Sequence, residues 1–370
     1  MRSASAARLR FVSRLVEEVA LAAPEFRDPR PFDTVYFGGG TPSQLAPEEL
    51  GRVLDACRAQ MKFETPWVFL EANPEDVTAD ACAAWRRLGV RTLSLGVQSF
   101  SDETLRFLGR RHSGRQARAV GETALAAGFD TVSIDLIFGV RGQTAEDWRR
   151  ELEAAVALGP QHVSCYQLTI HPDTRFGVQA KHGQLSELPE DDQATLFELT
   201  HRFLADAGWP AYEVSNFARS PAHQSRHNRK YWDHTPYLGL GPSAHSLAGA
   251  EGTSPARRWW NERGTPRWER RLAAGERPIE GQEVLGPKDL AAEALLLGLR
   301  TTAGIDLAGL RARYGVDLLA ANDALVARLV DEGHVVVRAG PDGGQRLVPT
   351  LSGLAVADGL AAAFDLSAPN

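Results

Sequence analysis

Four apolar, strand-like segments of this chain each end in residues able to bind a small polar ligand. The segments at 35–37, 68–70, 93–95 and 132–134 lead into GGGTP, EANP, GVQSF and DLIFG, in that order. In a parallel barrel, the groups that bind substrates and cofactors gather at the carboxyl ends of the strands. The four ends therefore predict a single rim around a single site.

The first of these ends is built to let the backbone approach a ligand. Gly39 and Gly40 carry no Cβ, so their N–H and C=O groups are accessible to an amino-acid-like head group, and Thr41 adds a hydroxyl. Short glycine motifs also occur in turns that bind nothing. A tight strand-to-helix turn without a ligand is therefore the alternative interpretation.

The later strand ends supply charged and amide side chains. Glu71 and Asp135 follow apolar segments, where an unpaired carboxylate is costly, so each needs a ligand hydroxyl or ammonium, a helix cap or a neighbouring arginine. Gln98 suits a carboxylate or hydroxyl, or satisfies backbone groups. Arg110 is able to clamp a carboxylate through two hydrogen bonds, or lies solvated at the surface.

The elements that must position these residues alternate between strand and helix. Helices are predicted at 11–21, 48–58, 79–88, 102–107, 114–127, 145–158 and from 189 or 190 to 207, and strands at 34–37, 67–70, 92–95, 131–137, 162–168 and 212–214. Such alternation predicts an α/β fold with a parallel sheet and right-handed crossovers.

The composition changes after Pro242. Residues 249–287 are predicted to form an irregular arm packed on the barrel, and 288–370 combine three helical patterns with two alternating runs, as in a winged helix. We therefore predict a barrel core at 1–248, the arm, and a small C-terminal winged-helix-like domain. The net charge of −6 and the lack of a basic stripe argue against nucleic-acid binding, so this domain is expected to be structural or to dock a partner.

Compartment and cysteine usage complete the general picture. No apolar run reaches the length of a membrane span, and the N-terminus lacks the apolar stretch of a signal peptide, so a cytoplasmic protein is expected. Cys57, Cys82 and Cys165 have neither metal-ligand spacing nor a disulfide pattern. We expect all three to be buried packing residues.

Nine motifs follow one another along nearly the whole chain: GGGTPS, EANP, LSLGVQSF, LGRRH, IDLIFGVRGQT, YQLTI, YEVSNFA, RHNRKYW and YLGLGPSAHS. In this order they resemble the radical SAM family of oxygen-independent coproporphyrinogen III oxidase-like proteins and, within it, the HemW heme-chaperone branch. The resemblance implies a partial (βα)6 TIM-like barrel that binds S-adenosylmethionine and a [4Fe-4S] cluster. By position it implies that the methionine end of S-adenosylmethionine meets Gly39, Gly40 and Thr41, and that the rest of the molecule contacts Glu71, Gln98, Arg110 and Asp135.

The run HNRKYW matches the HNxxYW motif associated with the heme-binding branch. The resemblance implies that His227, Tyr231 and Trp232 contact heme, since an imidazole ligates heme iron and aromatic rings flank a porphyrin. The alternative is a loop whose His and Asn cap backbone groups while Tyr and Trp pack on the barrel. His245 is a second candidate imidazole. The pair at 259–260, Trp-Trp, stays open between core packing and a porphyrin face.

One family motif is absent from the sequence. The family's first strand carries CxxxCxxC, whose thiolates hold the cluster, and the three scattered cysteines cannot replace it. The predicted barrel therefore lacks its first strand. Loss of that strand would leave the strand at 35–37 unpaired at the edge of the sheet, and a chain adapted to this loss would carry polar residues there. Residues 35–37 are apolar instead, so we expect that the start site is assigned too late. An upstream in-frame CxxxCxxC would support this, and a stop codon there would refute it.

Three functions are compatible with these features. The first is a heme chaperone that binds heme or porphyrin and delivers heme to apoproteins. The second is an oxygen-independent coproporphyrinogen III oxidase, which requires the cluster. The third is a cluster-less, non-enzymatic remnant, which predicts that neither S-adenosylmethionine nor heme binds.

Overall fold

The computed structural model describes residues 2–26, 28–172, 174–249, 255–341 and 343–366. Small parts of the three predicted domains lie outside the described residues, namely 1, 27, 173, 250–254, 342 and 367–370. The chain divides into two compact units. We call Tyr36–Gln44 with Val68–Gln224 the central unit, and Met1–Val35, Leu45–Trp67 and Ser225–Asn370 the terminal unit. The predicted domain boundaries at 248 and 287 stay a prediction.

The main sheet follows the order of the sequence. Among the described residues it contains β1 (Phe32–Phe37), β2 (Phe63–Ala72), β3 (Val90–Gln98), β4 (Thr131–Phe138), β5 (His162–Gln167) and β6 (Asn216–Ala218), in that order. Strands β2 to β5 pair in parallel, which confirms the predicted parallel sheet. In this register Glu71 lies opposite Ser94, and Ser94 lies opposite Ser133.

Strand β3 shows how the sheet separates core from site. Leu93, Leu95 and Val97 are buried, whereas the residues between them are only half-buried. Successive side chains of a strand point to opposite faces. Ser94 and Gln98 therefore share the face opposite to the buried leucines.

The helices that connect these strands agree with the predicted ones, except that Arg175–Lys181 is helical where no helix is predicted. Up to β6 they are α1 (Arg2–Ala22), α2 (Pro47–Gln60), α3 (Ala79–Arg87), α4 (Asp102–Phe107), α5 (Gly114–Ala126), α6 (Ala145–Leu158), α7 (Arg175–Lys181) and α8 (Glu190–Asp206). The side chains of Thr78, Ser113 and Thr144, which precede α3, α5 and α6, each accept a hydrogen bond from a backbone N–H in the first turn of that helix. These caps satisfy backbone N–H groups that a helix start leaves unpaired.

The last strand differs from the prediction at 212–214. Tyr212 donates its backbone N–H to Asn216, and Ala211 pairs with Phe217, so the chain reverses there and β6 runs antiparallel to β5. The segment at 212–214 leads into this reversal instead of forming the strand. The predicted crossover pattern therefore ends at β5.

The predicted irregular arm contains regular structure. Strands β7 (His245–Ala248), β8 (Ala256–Asn261) and β9 (Ile279–Leu285) form an antiparallel sheet, and α10 (Thr265–Ala273) lies between β8 and β9 in the chain. The prediction of an irregular segment is wrong in this respect. Strand β8 pairs with β9 across a helix, and local composition does not reveal pairing between segments so far apart in sequence.

The C-terminal part has the predicted helices and hairpin. It contains α11 (Pro287–Leu299), β10 (Ile305–Asp306), α12 (Leu307–Tyr314), α13 (Leu318–Ala321), α14 (Asp323–Asp331), β11 (Val335–Ala339), β12 (Gln345–Pro349), α15 (Leu351–Ala355) and α16 (Ala357–Ala363). A further short helix, α9 (Arg226–Trp232), lies between β6 and β7 in the chain. Helices α13 and α14 are divided at Asn322, whose amide donates to the backbone carbonyls of Leu318 and Asp365. In the described chain no helix is both long and apolar enough to span a membrane.

Candidate functional site

Glu71 joins the ends of the first two strands in the central unit. Its carboxylate accepts a hydrogen bond from the Tyr36 hydroxyl at 2.6 Å and another from the backbone N–H of Gly39 at 3.1 Å. Burial and the charge of Glu71 both raise the pKa of Tyr36, so the phenol stays protonated and donates. Glu71 thus has a phenol and a backbone group as partners, rather than the helix cap or arginine of the alternative interpretation.

The structure gives different reasons for a glycine at each of positions 38, 39 and 40. A Cβ on Gly38 would lie 2.4 Å from the Tyr36 ring and 2.9 Å from Glu71, so glycine is needed there for the Tyr36–Glu71 contact to form. Gly39 has a φ of 86°, which favours glycine. A Cβ on Gly39 or Gly40 would meet no atom within 4 Å. The backbone at these two positions therefore borders open space, as a ligand-binding turn requires.

Two residues with side chains adopt left-handed backbone conformations at the strand ends. Thr41 has a φ of 68° and Gln98 a φ of 67°, which are uncommon for such residues and are concentrated at functional sites. The Thr41 hydroxyl accepts a hydrogen bond from the Asn73 amide at 3.2 Å. A Cβ on Gly96 would lie 2.9 Å from the Gln98 amide nitrogen and 3.7 Å from the Asn73 side-chain oxygen. The amides of Gln98 and Asn73 therefore both lie beside the Gly96 backbone.

Asp135 is the second carboxylate of this cluster. It accepts hydrogen bonds from the hydroxyls of Ser94 at 2.8 Å and Ser133 at 3.2 Å. Burial raises the pKa of Asp135 to about 6 and the charge of Glu71 adds to the rise, while the serine hydroxyls oppose it. A carboxylate held in this way is charged at neutral pH but close to its protonation point.

Arg110 follows α4 and is half-buried. Burial lowers its pKa, and the charges of Glu75 and Asp135 act against that shift, which places the guanidinium in the same electrostatic environment as Asp135. No hydrogen bond between described residues involves its guanidinium. A desolvated guanidinium without such a partner is suited to bind a carboxylate or another anion.

The structure thus brings the predicted strand-end residues together. The cluster in the central unit that we call the strand-end cluster comprises Gly39, Gly40, Thr41, Glu71, Gln98, Arg110 and Asp135. Sequence reasoning missed Tyr36, Ser94 and Ser133. In the sequence Tyr36 stands in an apolar strand segment, but its hydroxyl so close to a glycine run is a signal that points to this role.

The run HNRKYW in the terminal unit forms the short helix α9 rather than a loop. Ser225 caps it by accepting from the N–H of Asn228, and Lys230 forms an ion pair with Asp33 on β1. The guanidinium of Arg226 lies 4.5 Å from the centre of the Trp67 ring. The helix is therefore attached to its own unit at both ends.

Both nitrogens of the His227 ring already have partners. Nδ1 lies 3.1 Å from the Thr34 hydroxyl, and Nε2 lies 2.9 Å from the Tyr231 hydroxyl, four residues later on the same helical face. Burial, with help from the charge of Lys230, lowers the pKa of His227 to about 4, so the ring is neutral at pH 7. A neutral imidazole is the form that ligates iron, but here the Tyr231 hydroxyl occupies the more exposed nitrogen.

The other aromatic residues of the motif are partly accessible. Tyr231 is 38% exposed and packs edge-on against Tyr237, with ring centres 4.8 Å apart. Trp232 is half-buried. The helix therefore offers an aromatic surface, with His227 behind the Tyr231 hydroxyl.

The second candidate imidazole has different surroundings. His245 is exposed at the start of β7, opposite Trp260 on β8, and their rings are stacked with centres 5.9 Å apart. It borders a pocket of about 400 Å³ lined by Ser243, His245, Trp260, Asn261, Arg263 and Glu280, which we call the β7–β9 pocket. Trp259 points away and is buried. The tryptophan pair is thus one core residue and one pocket residue.

Comparison with known proteins agrees with this description. The chain matches the Radical SAM superfamily over residues 2–155 and the HemN C-terminal domain over residues 285–356. "Heme chaperone HemW" of Mycobacterium tuberculosis (strain CDC 1551 / Oshkosh) is 38% identical over 304 residues, covering 82% of this chain and 76% of that protein. The Synechocystis protein of the same name is 36% identical over 282 residues, 76% of this chain and 67% of that protein.

The chain belongs to the HemW family of radical SAM proteins. Its fold resembles that of coproporphyrinogen III oxidase (HemN) from Escherichia coli, with a TM-score of 0.78, 21% identity, and coverage of 96% of this chain and 82% of that one. This confirms the predicted fold class, a partial radical SAM barrel with a small C-terminal domain. The sequence resemblance to the HemW branch is likewise confirmed.

Membership of the HemW family implies S-adenosylmethionine and a [4Fe-4S] cluster, and the two fit this chain differently. The strand-end cluster presents polar and charged groups beside open glycine backbone, which fits S-adenosylmethionine. Within the described ranges, no group of three or more His, Cys, Asp or Glu residues is arranged to hold a metal. Cys57, Cys82 and Cys165 are buried, as predicted, and burial raises the pKa of each thiol. These three cysteines are therefore not suited to hold a [4Fe-4S] cluster.

Proposed function

We propose that this chain is a heme chaperone: it binds heme and passes it to heme-accepting apoproteins, with S-adenosylmethionine bound at the strand-end cluster. The observation that carries the proposal is the 38% identity, over 82% of the chain, to proteins named heme chaperone HemW. The partners proposed are heme or a related porphyrin and the recipient apoproteins. The net charge of −6 supports the exclusion of nucleic acid, and we propose a cytoplasmic location.

The strand-end cluster supports the S-adenosylmethionine part of the proposal. Gly39, Gly40 and Thr41 are proposed to bind its methionine end, because a Cβ on either glycine would meet no atom within 4 Å and a ligand can therefore approach this turn. The half-buried Arg110 is suited to a carboxylate, and Glu71 can accept from an ammonium or a ribose hydroxyl. Gln98 and Asp135 are proposed to contact the remaining polar groups. When bound, S-adenosylmethionine supplies radical chemistry in this family only together with a cluster.

Helix α9 supports the heme part. We propose that His227, Tyr231 and Trp232 belong to the heme-binding surface, with the rings of Tyr231 and Trp232 as the porphyrin contacts. His227 fixes the Tyr231 hydroxyl through its 2.9 Å hydrogen bond. Partial exposure of these rings suits a protein that must release its cargo.

The test is a heme titration followed by transfer. The purified protein is titrated with hemin, and the complex is then mixed with apomyoglobin while the Soret band is recorded. We expect a saturable one-to-one complex and appearance of holomyoglobin faster than from free hemin aggregates. Absence of saturable binding, or a complex that never yields holomyoglobin, would contradict the chaperone assignment.

The oxidase alternative has weaker support. Likeness to coproporphyrinogen III oxidase at 21% identity concerns the fold alone. No observation on the described residues favours it over heme delivery. Analysis of products from coproporphyrinogen III with the purified protein would detect such an activity.

A further inference from the structure

The β7–β9 pocket is formed by residues that the HNRKYW motif does not include. Its lining combines an exposed imidazole, an aromatic ring, one cation and one carboxylate: His245, Trp260, Arg263 and Glu280. A volume of about 400 Å³ falls within the usual range of small-molecule sites. The balance of one cation and one carboxylate argues against a polyanionic ligand.

The sheet holds the two rings of the pocket in fixed positions. His245 pairs with Trp260, and Trp260 pairs with Gly281 on the next strand. A Cβ on Gly281 would lie 2.4 Å from the indole, so the Trp260 ring covers the space that glycine leaves. His245 stacks on the same ring at an interplanar angle of 27°. The imidazole is therefore supported by a side chain that is itself packed against backbone.

A buried network stands behind the pocket wall. Glu18 accepts hydrogen bonds from the backbone N–H of Gly241 at 2.8 Å, from the Asn261 amide, and from the Trp268 indole at 3.0 Å. The Asn261 amide also donates to the Gly241 carbonyl at 2.9 Å. These bonds connect β8 to the turn that leads into β7. The turn that precedes His245 is thus fixed by hydrogen bonds at Gly241, while the imidazole itself stays exposed.

The two candidate imidazoles of the terminal unit differ in the hydrogen bonds of their ring nitrogens. Both nitrogens of His227 lie within hydrogen-bond distance of hydroxyls. No hydrogen bond between described residues involves the ring of His245. Iron ligation needs a nitrogen lone pair directed to open space. Ligation by His227 would require the Tyr231 hydroxyl to leave, whereas ligation by His245 would break no hydrogen bond between described residues.

We propose that His245 is the iron ligand for the heme that this chain carries, with Trp260 as an aromatic contact and Arg263 as the counter-charge of a propionate. The inference rests on the proposed function, since it names the ligand for the same cargo. Imidazole, indole and guanidinium are the three groups that suit the iron, the ring system and the carboxylates of heme. Helix α9 then contacts the porphyrin without supplying the ligand.

The experiment compares three histidine variants of the full chain. His245→Gly, His227→Gly and His182→Gly are titrated with hemin, and Soret position and affinity are recorded with and without added imidazole. His182 is an exposed histidine of the central unit and serves as the matched control. Circular dichroism and thermal midpoints verify that each variant is folded.

We expect His245→Gly to weaken heme binding by at least about tenfold, because loss of groups that only orient a metal ligand already costs 10–100-fold. Added imidazole should restore the wild-type Soret position in this variant. His182→Gly should behave as wild type, and His227→Gly should keep the wild-type Soret position with a smaller loss of affinity.

The outcomes separate the inference from the proposed function. Loss and imidazole rescue confined to His227→Gly would overturn the assignment of His245 while heme binding stands. If His245→Gly binds heme as wild type does, the assignment is also overturned. If the wild-type protein gives no saturable Soret shift, the proposed function fails, and the inference fails with it.

A second arm tests the pocket without iron. Metal-free protoporphyrin IX binding is followed by quenching of its fluorescence in Trp260→Leu and Arg263→Gln. We expect affinity losses of about two- to tenfold for Trp260→Leu and about two- to fivefold for Arg263→Gln. His245→Gly should lose little here, because no iron is present. Unchanged binding in both pocket variants would contradict the pocket as the site.

Discussion

The strand-end cluster of the central unit and the β7–β9 pocket of the terminal unit hold their polar groups in opposite ways. In the strand-end cluster, Glu71 and Asp135 each accept two hydrogen bonds from protein groups. In the pocket, His245 and Arg263 are exposed, and only the network behind them is satisfied. The cluster is preorganised, whereas the pocket presents unengaged groups.

This difference matches the two proposed ligands. A cofactor that must be held in one geometry benefits from side chains whose positions are fixed before it binds. A cargo that must be released is better served by a few strong contacts on an accessible surface. The contrast teaches that the two regions must be tested separately, since a change in one should leave ligand binding in the other intact.

The two adjacent tryptophans of β8 give the largest expected contrast. Trp259 is buried, so Trp259→Ala should lower the free energy of unfolding by about 3–5 kcal/mol. Trp260→Ala should cost less than Trp259→Ala, because its ring is partly exposed, but it should weaken porphyrin binding. Urea denaturation and porphyrin titration of both variants measure this. Equal stability losses would contradict the separation into core and pocket residues.

Glu71 tests the strand-end cluster itself. Removing a charged hydrogen-bonding group costs about 1.5–3 kcal/mol, so Glu71→Ala should weaken S-adenosylmethionine binding by about 10- to 100-fold. Equilibrium dialysis measures the affinity, with the exposed Glu103→Ala of the same unit as control. Heme binding should not change. A comparable loss in the control would show that the effect is general charge rather than this site.

Much of this architecture was predictable, because its causes are local. The apolar runs of β2 to β5 are short-range signals, and the structure confirms these strands. The caps Thr78, Ser113 and Thr144 are equally local, because each acts on the helix that directly follows it. The strand-end residues were predictable for the same reason, since parallel strands bring their carboxyl ends to one edge.

Other features depend on contacts between distant segments. The pairing of β8 with β9 joins residues on either side of α10, and β6 reverses through the Ala211–Phe217 pair. The hydrogen bond that engages Nδ1 of His227 comes from Thr34, which is far away in sequence. The partner role of Tyr36 depends on Gly38 having no Cβ. None of these follows from local propensity.

The raised pKa of Asp135 makes a signed prediction about stability. Between pH 4 and its folded pKa of about 6, the folded protein binds a proton that the unfolded chain does not, so this group's contribution to stability falls as pH rises through that window. Asp135→Asn should therefore raise the free energy of unfolding at pH 7 by about 2 kcal/mol, with the gain disappearing near pH 4. Urea denaturation at both pH values measures it.

Asp130 provides a control of opposite sign. Its hydrogen bonds with Arg91 lower its pKa, and both side chains are largely exposed. Asp130→Asn should therefore lose stability at pH 7, by less than about 1 kcal/mol. A gain of stability in both variants would contradict the assignment of the Asp135 effect to its buried carboxylate.

Tyr231→Phe is expected to leave heme binding nearly unchanged, and it separates the two imidazoles. The change removes the hydroxyl next to Nε2 of His227 and should cost about 1 kcal/mol of stability. If His245 ligates the iron, heme affinity should stay within about twofold and the Soret position should not move. A marked gain in affinity with a shifted Soret band would show that His227, once released, is the ligand.

The most direct measurement is a crystal structure of the protein with S-adenosylmethionine and heme bound together. We predict S-adenosylmethionine between the glycines at 39–40, Glu71 and Asp135, and the heme iron bonded to the imidazole of His245 beside Trp260. Heme iron on His227, or S-adenosylmethionine away from the strand-end cluster, would contradict the account.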